Sequence, residues 1–243
     1  MRDSSRIAIV TGANTGIGLS SAKALADNGF MIGACVRTTS PELEQLLAQN
    51  SGHRQFNLDL SKDLEITACA KNIFEWTKTV DVLVNCAAQA TGNLFSMTRI
   101  TDMRAAFNTN LFGPLLFSQY IAKKMVRAKC GSIVNIASTA ALLADVGTLS
   151  YGGSKAALCH ATQVMAAELG PFGIRVNAIA PSVVETRMAD LMDDAARTKL
   201  DAKSVLKGTI DPADVADLVT FLATDRSSKI TGQILRIDRG MLL

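Results

Sequence analysis

Two tyrosines occur in the 243-residue sequence, and each is followed by a lysine four positions on: Tyr151 with Lys155 in "YGGSK", and Tyr120 with Lys124 in "YIAKK". On a helix, residues four apart stack on one face, so either pair could work as a unit. A free phenol titrates near about 10 and a free ammonium near about 10.4. A positive charge one turn away stabilises the phenolate and draws the tyrosine toward the range in which a general acid is effective. Spacing alone does not separate the two pairs. Ser138, thirteen residues before Tyr151, falls at the expected carboxyl end of a strand and offers a fixed hydroxyl to a developing alkoxide. Thirteen residues before Tyr120 stands Phe107, and Lys123-Lys124 reads as an exposed charged edge. Thr139 is a spare hydroxyl or a cap, and His160 a packing or interface side chain.

A second constellation precedes these. After the apolar run Ile7–Val10 comes "TGANTGIG", with Gly12, Gly16 and Gly18 at a strand-to-helix junction. Glycines there permit positive φ and close approach of backbone amides to a ligand, and the helix start beyond attracts anions. The turn is a seat for a pyrophosphate. Its Gly-x-x-x-Gly-x-Gly spacing differs from the Gly-x-Gly-x-x-Gly of most dinucleotide-binding folds.

The elements that must position these residues alternate along the whole chain. Strands read as Ile7–Val10, Met31–Val36, Arg54–Asn57, Asp81–Val84, Ser132–Ala137, Ile174–Ala180 and Gln233–Ile237, with helical patterns at 17–28, 41–50, 62–77, 100–128, 152–169 and 212–223. Pro41, Ser61 and Asp211-Pro212 mark helix starts. Nearly continuous apolar strands between helices predict stacked βαβ units and a parallel sheet covered on both faces. The expectation is one domain over 1–243, interrupted only at about 182–208, a long, charged, methionine-bearing stretch. Such a loop reads as a lid with short helices or as a surface excursion. Met188 and Met192 there are core or lid filler.

Composition narrows the function classes. The formal charge is only +3 with scattered basic residues, which disfavours nucleic acid. Cys35, Cys69, Cys86, Cys130 and Cys159 form no Cys-x-x-Cys pair, so neither a metal site nor a disulfide framework is expected, and free thiols suit the cytoplasm. No apolar stretch approaches the ~20 residues of a membrane span. Cys86, with no histidine or basic neighbour in sequence, reads as packing.

"TGANTGIG", "NCAA" after the fourth strand, "NTN" in the long helix, "NIAS" on the fifth strand, "YGGSK" and the late "ITGQILRIDRG" fall in an order that resembles the short-chain dehydrogenase/reductase family, most closely its 3-oxoacyl-[acyl-carrier-protein] reductase-like branch. The resemblance implies a three-layer α/β/α Rossmann fold with a seven-stranded parallel sheet in the order 3-2-1-4-5-6-7, a nicotinamide dinucleotide, and hydride transfer between it and a ketone or secondary alcohol. It assigns catalysis to Ser138, Tyr151, Lys155 and Asn110. Lys155 would also bond the nicotinamide ribose, and Asn110 would hold a water linking Lys155 to solvent. Asn110 reads otherwise as a helix polar residue bonding its own backbone.

The cofactor side would comprise Gly12, Asn14, Thr15, Gly16, Ile17, Gly18, Arg37, Thr38, Asp59, Leu60, Asn85, Ala87, Tyr151, Lys155, Pro181, Val184 and Thr186. Family members that bind NAD(H) place an acid at the end of the second strand. Val36 occupies that position here and Arg37 follows, so NADP(H) is expected ahead of NAD(H), although Thr15 stands where many NADP-preferring members carry a cation. Asp59 would meet the adenine amino group, and reads otherwise as a turn residue. Three departures mark this chain: Ala88 for a glycine, Ser182 for a glycine, and Arg239 within "DRG" where Asp-Gly-Gly is usual.

Expected partners are a small carbonyl or alcohol substrate, free or carrier-linked, and other copies of the chain in a homotetramer. Pocket walls at Ala140–Thr148 and 182–200 are largely apolar, which suits a neutral ketone or a thioester-linked ketone. The alternatives are an NAD(P)+-dependent alcohol, sugar or steroid dehydrogenase, and a non-enzymatic dinucleotide-binding protein, against which the intact Ser138, Tyr151 and Lys155 argue.

Overall fold

Runs of apolar residues without alternation need cover on both faces, and two helical layers supply it. The computed structural model describes residues 6–189 and 194–242. Strands β1 (Arg6–Thr11), β2 (Phe30–Val36), β3 (Arg54–Asn57), β4 (Val82–Asn85), β5 (Gly131–Ile136), β6 (Ile174–Pro181) and β7 (Ile234–Ile237) pair in parallel in the order β3-β2-β1-β4-β5-β6-β7. This is the expected order.

Successive residues of β1 enter opposite layers. Ala8 and Val10 join Leu25, Leu43, Val215, Val219 and Leu222 on the face covered by α1 (Gly16–Asp27), α2 (Pro41–Ala48) and α8 (Pro212–Ala223). Ile7 and Ile9 join Ile66, Ile73, Phe117, Ile121 and Met125 beneath α3 (Asp63–Trp76) and α5 (Gly113–Ala128). The period-two geometry of a strand makes one short run serve both cores.

Helix starts follow their local chemistry. Ser40 caps α2 by accepting from the Leu43 amide, with Pro41 next, and Asp211 and Asp214 form a reciprocal capping box at α8. Ser61 is not the cap expected of it. Asp59 binds its amide and hydroxyl in a turn, and α3 begins after Lys62 without a side-chain cap.

Two other boundaries matter for the site. The long helix expected over 100–128 contains α4 (Ile100–Phe107), a π-helical turn at Asn108–Phe112 and then α5. The penultimate long helix, α6 (Leu149–Leu169), starts three residues before the expected 152, so Tyr151 lies inside its first turn. The charged 182–208 stretch does carry a helix, α7 (Asp194–Ala202); Met192 lies outside the described residues. Among the described residues no helix is long and apolar enough to cross a membrane.

Candidate active site

A parallel sheet directs every strand's carboxyl end to one edge, and here the strand order reverses between β1 and β4, which opens a crevice there. Gly12–Gly18 leave β1, residues 85–88 leave β4, Ser138 follows β5, and 182–186 leave β6. The crevice collects residues far apart in sequence.

The phosphate turn is built for close approach. Gly12 and Gly16 take φ of +69° and +51°, and a Cβ on Gly18 would stand 2.1 Å from the Gly12 carbonyl oxygen. Thr11 holds the neighbouring turn, its Oγ1 accepting from the amides of Cys86 (3.0 Å) and Ala87 (3.1 Å). The start of α1 has neither a side-chain cap at Thr15 nor an acidic residue in its first turn, so its leading amides suit an anion. Thr186 roofs this turn: its Cγ2 lies 3.0 Å from where a Gly16 Cβ would be. Asn14 and Ile17 are half-buried in the same turn, and Pro181 and Val184 are buried beside Thr186. The glycine cradle therefore fits the pyrophosphate of a dinucleotide.

At the end of β2, Val36 is buried while Arg37 and Thr38 are exposed. Asp59 accepts both Ser61 bonds, which hold its carboxyl below the usual range, and the charges of Lys62 and Arg37 act in the same direction. Two cations thus stand around this edge, of which sequence reasoning singled out one.

The chemical centre lies where β5 meets α6. Ser138 begins the 3-10 turn Thr139–Ala141, its Oγ accepting from the Ala140 amide at 3.1 Å, and its hydroxyl faces the Tyr151 phenol closely enough to favour the phenolate. Gly152 makes this approach possible, because a Cβ there would stand 2.5 Å from the Ala140 carbonyl oxygen. One turn along α6, Lys155 is buried and donates to the Ile136 carbonyl at 2.6 Å, with Nζ 5.9 Å from the Tyr151 ring centroid.

Burial governs the titration of both groups. It pushes the Lys155 ammonium down to about 8, against small opposing effects of the Cys86 and Cys159 thiols. The Tyr151 phenol is pushed up, with Ser138 opposing and Cys86 assisting. The helical spacing predicts instead that Lys155 draws the phenol down. Among the protein's own groups desolvation prevails, because the ring is largely covered and Lys155 points its ammonium at the Ile136 carbonyl. Cys86 has its thiol pushed up to about 12 by burial, so it stays protonated and is no nucleophile.

Three expected residues have side chains engaged within the protein itself. Asn110, within the π turn, is fully buried; it accepts from the Gln89 amide (2.8 Å) and donates to the Gln89 carbonyl (2.9 Å) and to Ser154 (3.1 Å). Ser154 in turn donates to the Tyr151 carbonyl at 2.7 Å. Asn110 thus splints the site through its side chain, and π turns recur at such places. Asn85 turns its side chain into the core, donating to Ser118 (2.9 Å) and Asn135 (2.8 Å). Leu60 is likewise buried in the core beneath α3 and α5. Only the backbones of these two could meet a ligand. Ser154, Gly152 and the Ile136 carbonyl went unread in sequence, and the signal for the first two was their place inside "YGGSK".

Neither Tyr120 nor His160 joins the site. Tyr120 shares a hydrogen bond with Thr67 on α3 (3.2 Å), and His160 is exposed on α6. Among the described residues no three His, Cys, Asp or Glu side chains converge as metal ligands.

A phenol facing a serine hydroxyl, beside a buried ammonium and a phosphate-binding turn, can pass a proton to a carbonyl oxygen or take one from an alcohol. Comparison with known proteins agrees with that chemistry. A family model described as enoyl-(acyl carrier protein) reductase matches residues 12–242. The chain is 32% identical over 241 residues to a 3-oxoacyl-[acyl-carrier-protein] reductase of Chlamydia trachomatis, covering 97% of each chain. It is 35% identical over 240 residues to the D-threitol dehydrogenase of Mycolicibacterium smegmatis, covering 97% of this chain and 92% of that one. A solved structure of a putative gluconate dehydrogenase from Agrobacterium tumefaciens superposes with a TM-score of 0.90 at 29% identity, covering 98% of this chain and 96% of the other.

Proposed function

The chain belongs to the short-chain dehydrogenase/reductase family and is an oxidoreductase acting on CH–OH donors or the matching carbonyls, and from that premise we propose that it is an NADP(H)-dependent ketoreductase acting on a 3-oxoacyl thioester or a small ketone. The observation that carries the reading is the Ser138–Tyr151–Lys155 arrangement beside the Gly12–Gly18 cradle. A bound nicotinamide dinucleotide would supply the hydride. Tyr151 donates the proton to the carbonyl oxygen, and Ser138 steadies the charge that develops on that oxygen. Lys155, held by the Ile136 carbonyl with Nζ 5.9 Å from the Tyr151 ring centroid, offers its ammonium to a ribose hydroxyl. The Asn110–Ser154 splint keeps the first turn of α6 in register with the π turn.

Burial keeps Tyr151 protonated, the form that gives a proton to a carbonyl, and the same residues acting in reverse take a proton from an alcohol. Preference for the 2′-phosphate rests on Arg37 and Lys62 at an edge where Val36 replaces an acid. The second reading, an alcohol or sugar dehydrogenase using the same residues in reverse, draws on the likeness to D-threitol dehydrogenase. Assembly as a homotetramer would cover the groove of about 620 Å³ between α5 and α6, which is lined by Leu115, Ala122, Val126 and Met165 together with the charged Lys123, Arg127 and Glu168. The free thiols of all five cysteines suit the cytoplasm.

The test is to follow NADPH oxidation with acetoacetyl thioesters and simple ketones. Turnover with a thioester is expected; none with any ketone would reject the reductase reading. Tight NADH binding with weak NADPH binding would reject the role of Arg37.

A further inference from the structure

Arg239 is one of two described non-glycine residues at positive φ, with φ of +54° just after β7. Its side chain is only 11% exposed. The guanidinium donates to the Asp201 carboxylate at the end of α7 and to the Gly208 carbonyl, and its Nε is buried without a partner. The backbone carbonyl of the same residue accepts from the amides of Val205 and Leu206, both at 3.0 Å. One residue thus binds four points within 201–208. The neighbouring turn is itself fixed, with Asp238 accepting from the amides of Gly240 (3.0 Å) and Leu242 (3.2 Å).

From this anchor a continuous path leads to the tyrosine. Two residues after Asp201, Lys203 reaches Asp145 at 3.5 Å in the loop that follows Ser138. The Asp145 carbonyl accepts from the Thr148 hydroxyl at 2.7 Å, and the Thr148 carbonyl from the Gly152 amide at 2.6 Å. The Lys203–Asp145 pair is partly exposed and weak by itself. Lys203 lies in the segment whose residues 201, 205, 206 and 208 Arg239 binds.

We propose that Arg239 is a positioning residue that pins residues 201–208 against the end of β7 and so sets the substrate-side wall of the site next to Ser138 and Tyr151. The substrate consequence rests on the ketoreductase reading; the clamp itself does not.

Arg239→Gly separates the two, since glycine suits the positive φ and keeps the backbone carbonyl while removing the guanidinium. Hydrogen exchange at Val205 and Leu206 is expected to quicken roughly tenfold or more in this variant, with exchange in β1 and β5 unchanged. KM for the ketone should rise about fivefold or more with kcat within about twofold, because substrate positioning is lost while the proton donor stays. NADPH affinity should not change, and Arg239→Lys should recover part of the KM. Asp201→Asn should reproduce the effect, and the double variant should add little to either single one. Unchanged exchange at 205–206 overturns the clamp. Faster exchange with an unchanged KM overturns the positioning role. If wild-type protein reduces no ketone, the exchange result still decides the clamp while the ketoreductase reading fails separately.

Discussion

The two tyrosine–lysine pairs share spacing, helical setting and side-chain chemistry, yet their surroundings give them different work. On α5, Lys124 lies over the Phe74 ring at 4.6 Å, and Lys123 sits 5.2 Å from the Tyr120 centroid. The Tyr120 hydroxyl spends its hydrogen bond on Thr67, a packing contact between α3 and α5. On α6, Lys155 is buried against the Ile136 carbonyl and Tyr151 meets Ser138 at the carboxyl edge of the sheet. The difference teaches that a proton-transfer pair is made by what desolvates it and what faces it. Helical spacing supplies only the opportunity.

Breaking the comparison from the strong side should have the largest effect. Tyr151→Phe is expected to lower kcat by roughly a thousandfold or more while NADPH binding persists, as fluorescence titration would measure. Retained turnover would refute the assignment of the proton donor.

Lys155→Met reads the cost of burial. The lysine's folded-state value of about 8 lies below its ordinary 10.5, so the unfolded chain binds more protons between those values and wild-type stability should rise with pH across that window. At neutral pH the buried charge opposes folding by an amount on the order of 3 kcal/mol. The methionine variant, inactive, should therefore unfold at an equal or higher temperature at pH 7 and lose the rise between pH 8 and 10.5. Calorimetry across that range would show it, and a wild-type stability that stays flat there would contradict the burial argument.

Ser138→Ala should reduce kcat by about a hundredfold. It should also move the upper limb of the pH–rate profile upward, because the Ser138 hydroxyl opposes the burial that raises the phenol. A shift in the opposite direction would mean that another group sets that limb. The smallest effect is expected at the other pair. Tyr120→Phe should leave turnover within about twofold and cost no more than about 1 kcal/mol by chemical denaturation, since it removes one exposed hydrogen bond. A large loss of activity there would erase the distinction between the two helices.

Most element positions were legible because apolar runs, helix caps and glycine turns act over a few residues, whereas the order of the strands followed only from the resemblance to a known family. Val36 and Arg37 at the end of β2, and Asp211-Pro212 at α8, are local signals of this kind. Asn85 was not legible. Its neighbours Ser118 and Asn135 lie 33 and 50 residues away, and only the packing of α5 on β4 and β5 turns its amide into the core. The same limit hid Ser154, whose use depends on a π turn 44 residues upstream.

What the sequence determined by itself was a parallel α/β sheet with a pyrophosphate seat after its first strand and a tyrosine able to reach a serine hydroxyl. Periodicity, turn chemistry and short-range spacing are properties of the chain. Tertiary structure alone decided the direction in which Tyr151 and Lys155 titrate, the splinting role of Asn110 and the anchoring role of Arg239. Each of these depends on desolvation or on partners brought together from distant segments, and neither acts until the chain has folded.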